Sequence, residues 1–211
     1  MKNILMILVL PLLATYNHGQ QALFYDQGKR TSLSDQEKAD LIFLREEEKL
    51  AHDVYVYSNQ KYNRNIFYNI SGSEQNHTTS VLGILTQYGI DDPVTNNNIG
   101  IFTNSDLQNL YNALSAKSDS SLTKAFEVGA VIEDLDLNDI KTFRSHTTNE
   151  DLLSLYDRLA CGSRNHLRSF VMQLGTYTPS HVSQIEYSAI INGSHEPCGK
   201  HYGKGRGNTH R

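Results

Sequence analysis

The stretch SDQEKADLIFLREEEKLAHDVYVYS, residues 34–58, decides the fold. Ser34 is followed three residues later by Glu37. That spacing is a capping box: the serine oxygen accepts from the third helical amide, and the glutamate returns to accept from the cap amide. Downstream, Leu41, Leu44, Glu48, Ala51 and Tyr55 recur at helical spacing on one stripe. Every member of that stripe except Glu48 belongs in a core. A buried carboxylate is costly unless it is paired, hydrogen-bonded or bound to a metal. A competing reading exists, because Glu46, Glu47 and Glu48 form a run and charge runs commonly face water. Glu47, one step round the helix, is the alternative to Glu48.

Three further long helices follow. The second spans about 66–88, with the stripe Phe67, Ile70, Glu74, His77, Val81, Leu85 and Tyr88, and Gly89 stops it. Asp91-Asp92-Pro93 and the run Asn96-Asn97-Asn98 mark a loop, after which Ser105 opens a short helix to about Leu114. The third long helix covers about 121–143, with Phe126, Gly129, Ala130, Glu133, Leu137 and Ile140 on one stripe. The fourth is capped by Thr148 or Asn149 and reaches Leu174, with the stripe Leu152, Leu155, Leu159, Ser163, His166 and Phe170. Gly175 and Pro179 end it. A last short helix covers about 180–191.

No strand pattern competes. Two helical hairpins joined by a long crossover carrying its own helix predict an all-α, ferritin-like four-helix bundle over residues 33–191. Each long helix then sends a Glu or His inward: Glu48, Glu74 with His77, Glu133, and His166. Glu74 and His77 are three apart and share a face. Three carboxylates and two imidazoles suit iron, manganese or zinc better than a thiolate-seeking metal.

The ends read differently. Lys2 precedes an apolar run from Ile4 to Ala14, too short to cross a bilayer, which takes about 20 residues. It fits a signal peptide over residues 1–19, followed by a polar linker at 20–32, so the mature chain would be periplasmic or secreted without stable membrane insertion. The alternatives are an uncleaved anchor or a core segment. From Asn192 to Arg211, Gly, His, Lys and Arg dominate, and a disordered tail is expected. Cys161 and Cys198, the only cysteines of the 211 residues, either pair, as an exported protein permits, or stay as thiols. A formal charge of -4 gives no sign of a nucleic-acid partner.

Four separated motifs carry a resemblance: LREEEKLAHDVY (44–55), SEQNH (73–77), VGAVIEDLD (128–136) and GSRNHLR (162–168). Together they resemble the signatures of domain of unknown function 2202, a bacterial and archaeal family with a ferritin-like fold. The resemblance covers about residues 36–191. It also extends distantly to rubrerythrins and ferritins. Their first-helix Glu-x-x-Ala-x-x-x-Tyr is matched by Glu48, Ala51 and Tyr55, which favours Glu48 over Glu47, and their second-helix Glu-x-x-His by Glu74 and His77. Ala130 and Glu133 resemble the third-helix ligand segment. The fourth helix departs, with Ser163-x-x-His166 where rubrerythrins place Glu-x-x-His. The missing carboxylate points to a single metal or an asymmetric pair. Asp136 is either a residue that holds a ligand in place or a surface group, with surface the default. Tyr55 is either a bond to a ligand or core.

The Glu and His set leads us to expect a di-iron or mono-iron protein, with manganese or zinc as alternatives, that reacts with oxygen or peroxide; the long ends and the helix in the crossover point to a monomer or dimer and not a cage. A non-catalytic metal-sequestering protein, aided by His195, His201 and His210 of the tail, and a structural or interaction module are the other readings.

Overall fold

The computed structural model describes residues 32–198. The expected signal peptide, nearly all of the linker, and the chain after Cys198 lie outside the described residues. Among those described, the secondary structure is entirely helical: α1 (Asp35–Tyr62), α2 (Asn65–Gln87), α3 (Ser105–Asp119), α4 (Leu122–Ser145), α5 (Glu150–Leu174) and α6 (Gln184–Asn192).

The helix ends follow local chemistry. Both arms of the Ser34–Glu37 capping box are present, and Asn63, in the left-handed region at φ 47°, ends α1. Asparagine enters that region more readily than most side chains. Side chains of Asn104, Ser121, Asn149 and Ser183 accept amide bonds at the starts of α3, α4, α5 and α6. Such a cap contributes about 1 kcal/mol. Three boundaries differ from the sequence reading. Helix α1 runs on past Ser58, and α3 runs past Leu114, where the Ser58 and Ser118 hydroxyls meet at 2.8 Å. Helix α6 starts at Gln184 instead of Ser180, because the amides of Ser180, His181 and Val182 all donate to the buried Asp134 carboxylate of α4.

Cross-helix pairs give the directions. From α1 to α4, Phe43 meets Phe143 and Tyr55 meets Glu133. From α2 to α5, Phe67 meets Phe170 and Gln87 meets Asp151. From α4 to α5, Gly129 meets Phe170 and Phe143 meets Tyr156. In each pair one number rises as the other falls, so these neighbours are antiparallel. Helices α1 and α2 form one hairpin, α4 and α5 the other, and the crossover with α3 packs on α1 and α4.

Two apolar clusters fill the bundle. One gathers Val54, Tyr55, Phe67, Ile70, Phe126, Ala130 and Phe170; the other gathers Leu41, Leu44, Val81, Leu85, Ile140, Leu155 and Leu159. Burying each large side chain contributes about 1.5–3 kcal/mol. On each long helix the inward Glu or His lies between residues of the two clusters: Glu48 between Leu44 and Val54, His166 between Leu159 and Phe170. The polar residues thus form a layer capped above and below by hydrocarbon.

The chain between Asn192 and Cys198 is not loose, as the sequence reading had it. It turns back along α5, where Glu196 pairs with Arg164 and Arg168 and Cys198 is bonded to Cys161. Composition hid this, because the fastenings are specific pairs, among them Glu196 with Asn165, and not an apolar stripe.

Candidate metal centre

The charge run of α1 is buried throughout: Arg45, Glu46, Glu47, Glu48 and Lys49 are each 2–6 % exposed. Successive residues step about 100° round a helix, so each finds a different neighbour. Glu46 faces the crossover and accepts from the amides of Thr103 (2.6 Å) and Asn104 (2.9 Å). Lys49 reaches Asp53 at 2.5 Å and the carbonyl of Asn98 at 3.0 Å. Glu47 faces α4, beside Asp136 and Asp139. Glu48 faces α2.

Two groups of potential ligands result. Glu48, Glu74 and His77 form one, and Glu74, Glu133 and His166 form the other, with the atoms of each within 4.8 Å of one another. All five sequence-derived ligands are therefore brought together, and Glu74 belongs to both groups. His77 Nδ1 lies 2.7 Å from Glu74 Oε2 and 3.2 Å from Glu48 Oε2. His166 Nδ1 lies 2.7 Å from Glu74 Oε1 and 3.4 Å from Glu133 Oε2. The imidazole rings face each other at 5.6 Å.

Two neighbours shape this arrangement. Tyr55 donates to Glu133 Oε1 at 2.6 Å, fixing that carboxylate from the side of the apolar cluster. Gly162 of α5 leaves room for the His77 ring, since a Cβ there would stand 2.5 Å from His77 Nε2.

Electrostatics follow from burial and pairing. Burial alone would raise Glu74, but His77 and His166 on either side outweigh it and hold its carboxyl far below the usual range. Burial pushes Glu48 up to about 7 against the pull of His77. Burial opposes charge on His166, yet Glu74 and Glu133 raise it to about 10. His77 is raised in the same way by Glu74 and Glu48.

Asp136 corrects the surface reading. It is buried at 7 % exposure, burial followed by Glu48 and Glu133 raises its carboxyl well above the ordinary range, and Ser163 of α5 donates to its Oδ2. The position that lacks a glutamate on α5 thus holds an α4 carboxylate in place. Glu47 belongs to neither ligand group. Both of its oxygens are buried without a hydrogen-bond partner, and burial then Asp136 raise its carboxyl.

Orphaned atoms test whether a metal fits. Glu48 Oε1 is buried with no hydrogen-bond partner, and Glu74 Oε1 and His166 Nδ1 are buried with only ion-pair contacts. Buried polar atoms normally find a hydrogen-bond partner. Metal bonds of about 2.1 Å meeting at right angles would place donor atoms about 3 Å apart. The separations of 2.7–3.4 Å centre on that spacing. Oxygen and imidazole donors without thiolate suit iron, manganese or zinc. The residues present fit the group.

The family model described as an uncharacterized protein domain (DUF2202) matches residues 37–194. The chain belongs to the DUF2202 family. A relative, Uncharacterized protein MJ0754 of Methanocaldococcus jannaschii, is 46 % identical over 168 residues, covering 78 % of this chain and 91 % of the relative. The crystal structure of hypothetical protein MJ0754 superposes with a TM-score of 0.78 at 45 % identity, covering 79 % of this chain and 97 % of that one. The DUF2202 match contains every ligand candidate, from Glu48 to His166, and ends at residue 194, before Glu196 and Cys198.

Proposed function

We propose that this DUF2202 protein holds a pair of divalent transition-metal ions, iron or manganese, in the carboxylate–histidine layer and reacts with oxygen or peroxide outside the cytoplasm. One observation carries the reading: Glu74 directs its two oxygens to two different histidines, each backed by a further carboxylate. Glu48 and His77 would hold one ion, Glu133 and His166 the other, and Glu74 would bridge them. Glu74 as shared ligand also accounts for two sites despite serine at position 163.

Iron or manganese held there would supply one-electron redox steps. The protein's own groups do the rest. Tyr55 keeps Glu133 oriented, Gly162 lets His77 reach inward, and the two apolar clusters bound the layer along the bundle axis. Export is supported by the basic start and short apolar run of the N-terminus and by the joined Cys161 and Cys198, a bond favoured in oxidising compartments. Among the described residues no helix is long and apolar enough to cross a membrane.

Elemental analysis of the untagged protein beside the Glu74→Ala, His77→Ala double variant tests the proposal. About two ions per chain, lost in the variant, is the expected outcome, followed by oxygen or peroxide consumption by the reduced protein. Absence of metal from the wild type, with reconstitution also failing, would sink it.

A further inference from the structure

The carboxylates of the layer are sealed: Glu48 keeps 1 % side-chain exposure, and Glu74 and Glu133 keep 2 % each. The imidazoles are not, with 12 % for His77 and 10 % for His166. Both rings line one cleft between α2 and α5, of about 470 Å³. Its helical walls carry Asn76 and Ser80 on α2 and Leu159, Asn165 and Ser169 on α5, and Gly162 lies among them without a side chain. The remaining wall is the returning strap, through His195, Glu196, Pro197 and Cys198.

The strap's fastenings are of two kinds. Glu196 accepts from Arg164 Nε at 2.9 Å and Arg168 Nη2 at 2.8 Å, and its backbone both donates to and accepts from the Asn165 side chain at 2.9 and 3.0 Å. These groups are only partly buried, so water and salt weaken them. The other fastening is covalent, Cys198 to Cys161, whose position adjoins Gly162 in the same cleft. No strap residue from Gly193 to Cys198 is buried. Among the described residues nothing apolar therefore holds it down once the bond is cut, and a segment of that kind opens locally.

We propose that the α2–α5 cleft is the port to the carboxylate–histidine layer, and that the 193–198 strap is its redox-controlled wall. A dithiol reductant opens it. One thiolate attacks a sulfur of the Cys161–Cys198 bond and expels the other cysteine; the reductant's second thiolate then attacks its first sulfur in the mixed disulfide and expels the remaining protein cysteine. Cys161 and Cys198 become thiols, the reductant becomes a disulfide, and two electrons and two protons pass to the protein. The identity of the ion that passes rests on the proposed function; the port itself does not.

The experiment compares the oxidised protein, the same protein treated with dithiothreitol, and the Cys161→Ser, Cys198→Ser variant, with circular dichroism to verify helicity. Three readouts are taken. Hydrogen exchange follows the amides of residues 194–196. Diethyl pyrocarbonate, mapped by mass spectrometry, reports access to His77 and His166 in the metal-free oxidised protein and serine variant, with His146 and His181 outside the cleft as controls. Cobalt(II) loss to a chelator reports exchange of the loaded site. Breaking the bond should speed strap exchange, and should speed modification of His77 and His166 and loss of cobalt by about tenfold or more, with the control histidines unchanged. Faster strap exchange with unchanged access to His77 and His166 overturns the proposal. If the strap stays closed without the disulfide, redox control is overturned, and adding Glu196→Ala then tests the port alone: an open strap without faster histidine access removes that too. Faster histidine access in a protein that never binds cobalt would uphold the port and count against the metal reading.

Discussion

His166 Nδ1 stands 2.7 Å from Glu74 Oε1 in a buried ion pair, and 3.4 Å from Glu133 Oε2. Without an ion, the positive charge must come from protons, and both histidines are accordingly raised, His166 to about 10.

Metal binding should therefore release protons at neutral pH, because imidazole must be neutral to ligate. Affinity should rise with pH, by about tenfold per pH unit for each proton displaced, until His166 deprotonates near 10. Calorimetry of zinc binding in buffers of differing ionisation enthalpy, repeated at several pH values, measures the protons directly. A pH-independent affinity between 6 and 8 would contradict this account of the layer.

The metal-free fold should lose stability as pH rises. His166, raised from an ordinary value of 6.5 to about 10, stabilises the fold fully below about 6.5, and that contribution disappears as pH climbs through 10. Glu48, raised from 4.5 to about 7, acts in the same direction, because the folded state holds its proton longer than the unfolded chain. Glu74 acts oppositely: its depressed carboxyl stabilises above 4.5 and gives that up only in acid. Urea midpoints of the metal-free protein should fall between pH 6 and 10, and bound zinc should flatten or reverse the trend.

Glu74→Gln should destabilise the metal-free protein by about 3–5 kcal/mol at pH 7, since it leaves two buried imidazoles without their shared counter-charge. Glu48→Gln should cost far less, because burial already pushes Glu48 to about 7 and the amide resembles its protonated form. Equal losses in the two variants, measured by urea denaturation, would mean that Glu74 is not the electrostatic centre.

The parts of the molecule legible in the sequence were those written as local pattern. Ser34 with Glu37 located the start of α1, and stripes such as Phe67–Ile70–Glu74–His77–Val81 gave the helices and their inward faces. Relations between segments were not written that way. The Glu46–Glu48 run resembled a solvated face because periodicity does not reveal that the crossover covers α1 on one more side. Asp136 resembled a surface residue because its partner, Ser163, lies on another helix. Cys161 and Cys198 left two readings open because their Cα separation, 5.7 Å, depends on how the strap folds back. A possible signal was Glu196 itself, an acid in a basic tail, matched by Arg164 and Arg168 one turn apart.

Gly162→Ala should divide the two halves of the layer. The added Cβ would stand 2.5 Å from His77 Nε2 and Cε1 but 3.8 Å from His166 Cε1, an ordinary contact. His77 must shift while His166 stays. Metal content should drop toward one ion per chain, or one of two zinc affinities should weaken by about tenfold or more. Gly72→Ala is the control: nothing lies within 4 Å of its Cβ, and mid-helix alanine should stabilise by about 0.5–1 kcal/mol without altering metal content. Loss of metal in both variants would point to general destabilisation instead.

Glu46 separates the charge run's structural member from its proposed ligand, Glu48. Its two oxygens take the amides of Thr103 and Asn104 at the start of α3, at 2.6 and 2.9 Å. Glu46→Ala leaves those amides without their carboxylate and opens a gap between α1 and the crossover. A cost of about 2–4 kcal/mol is expected from hydrogen bonds to a charged acceptor. Because Glu46 lies outside both ligand groups, zinc stoichiometry at a temperature where the variant remains folded should match wild type. Glu48→Ala should do the reverse, sparing the crossover and weakening the ion bound with His77. Differential scanning calorimetry with parallel zinc titration distinguishes them. If Glu46→Ala lost metal while fully folded, the crossover would have to position the layer through α1, and the separate faces of the run would not act independently.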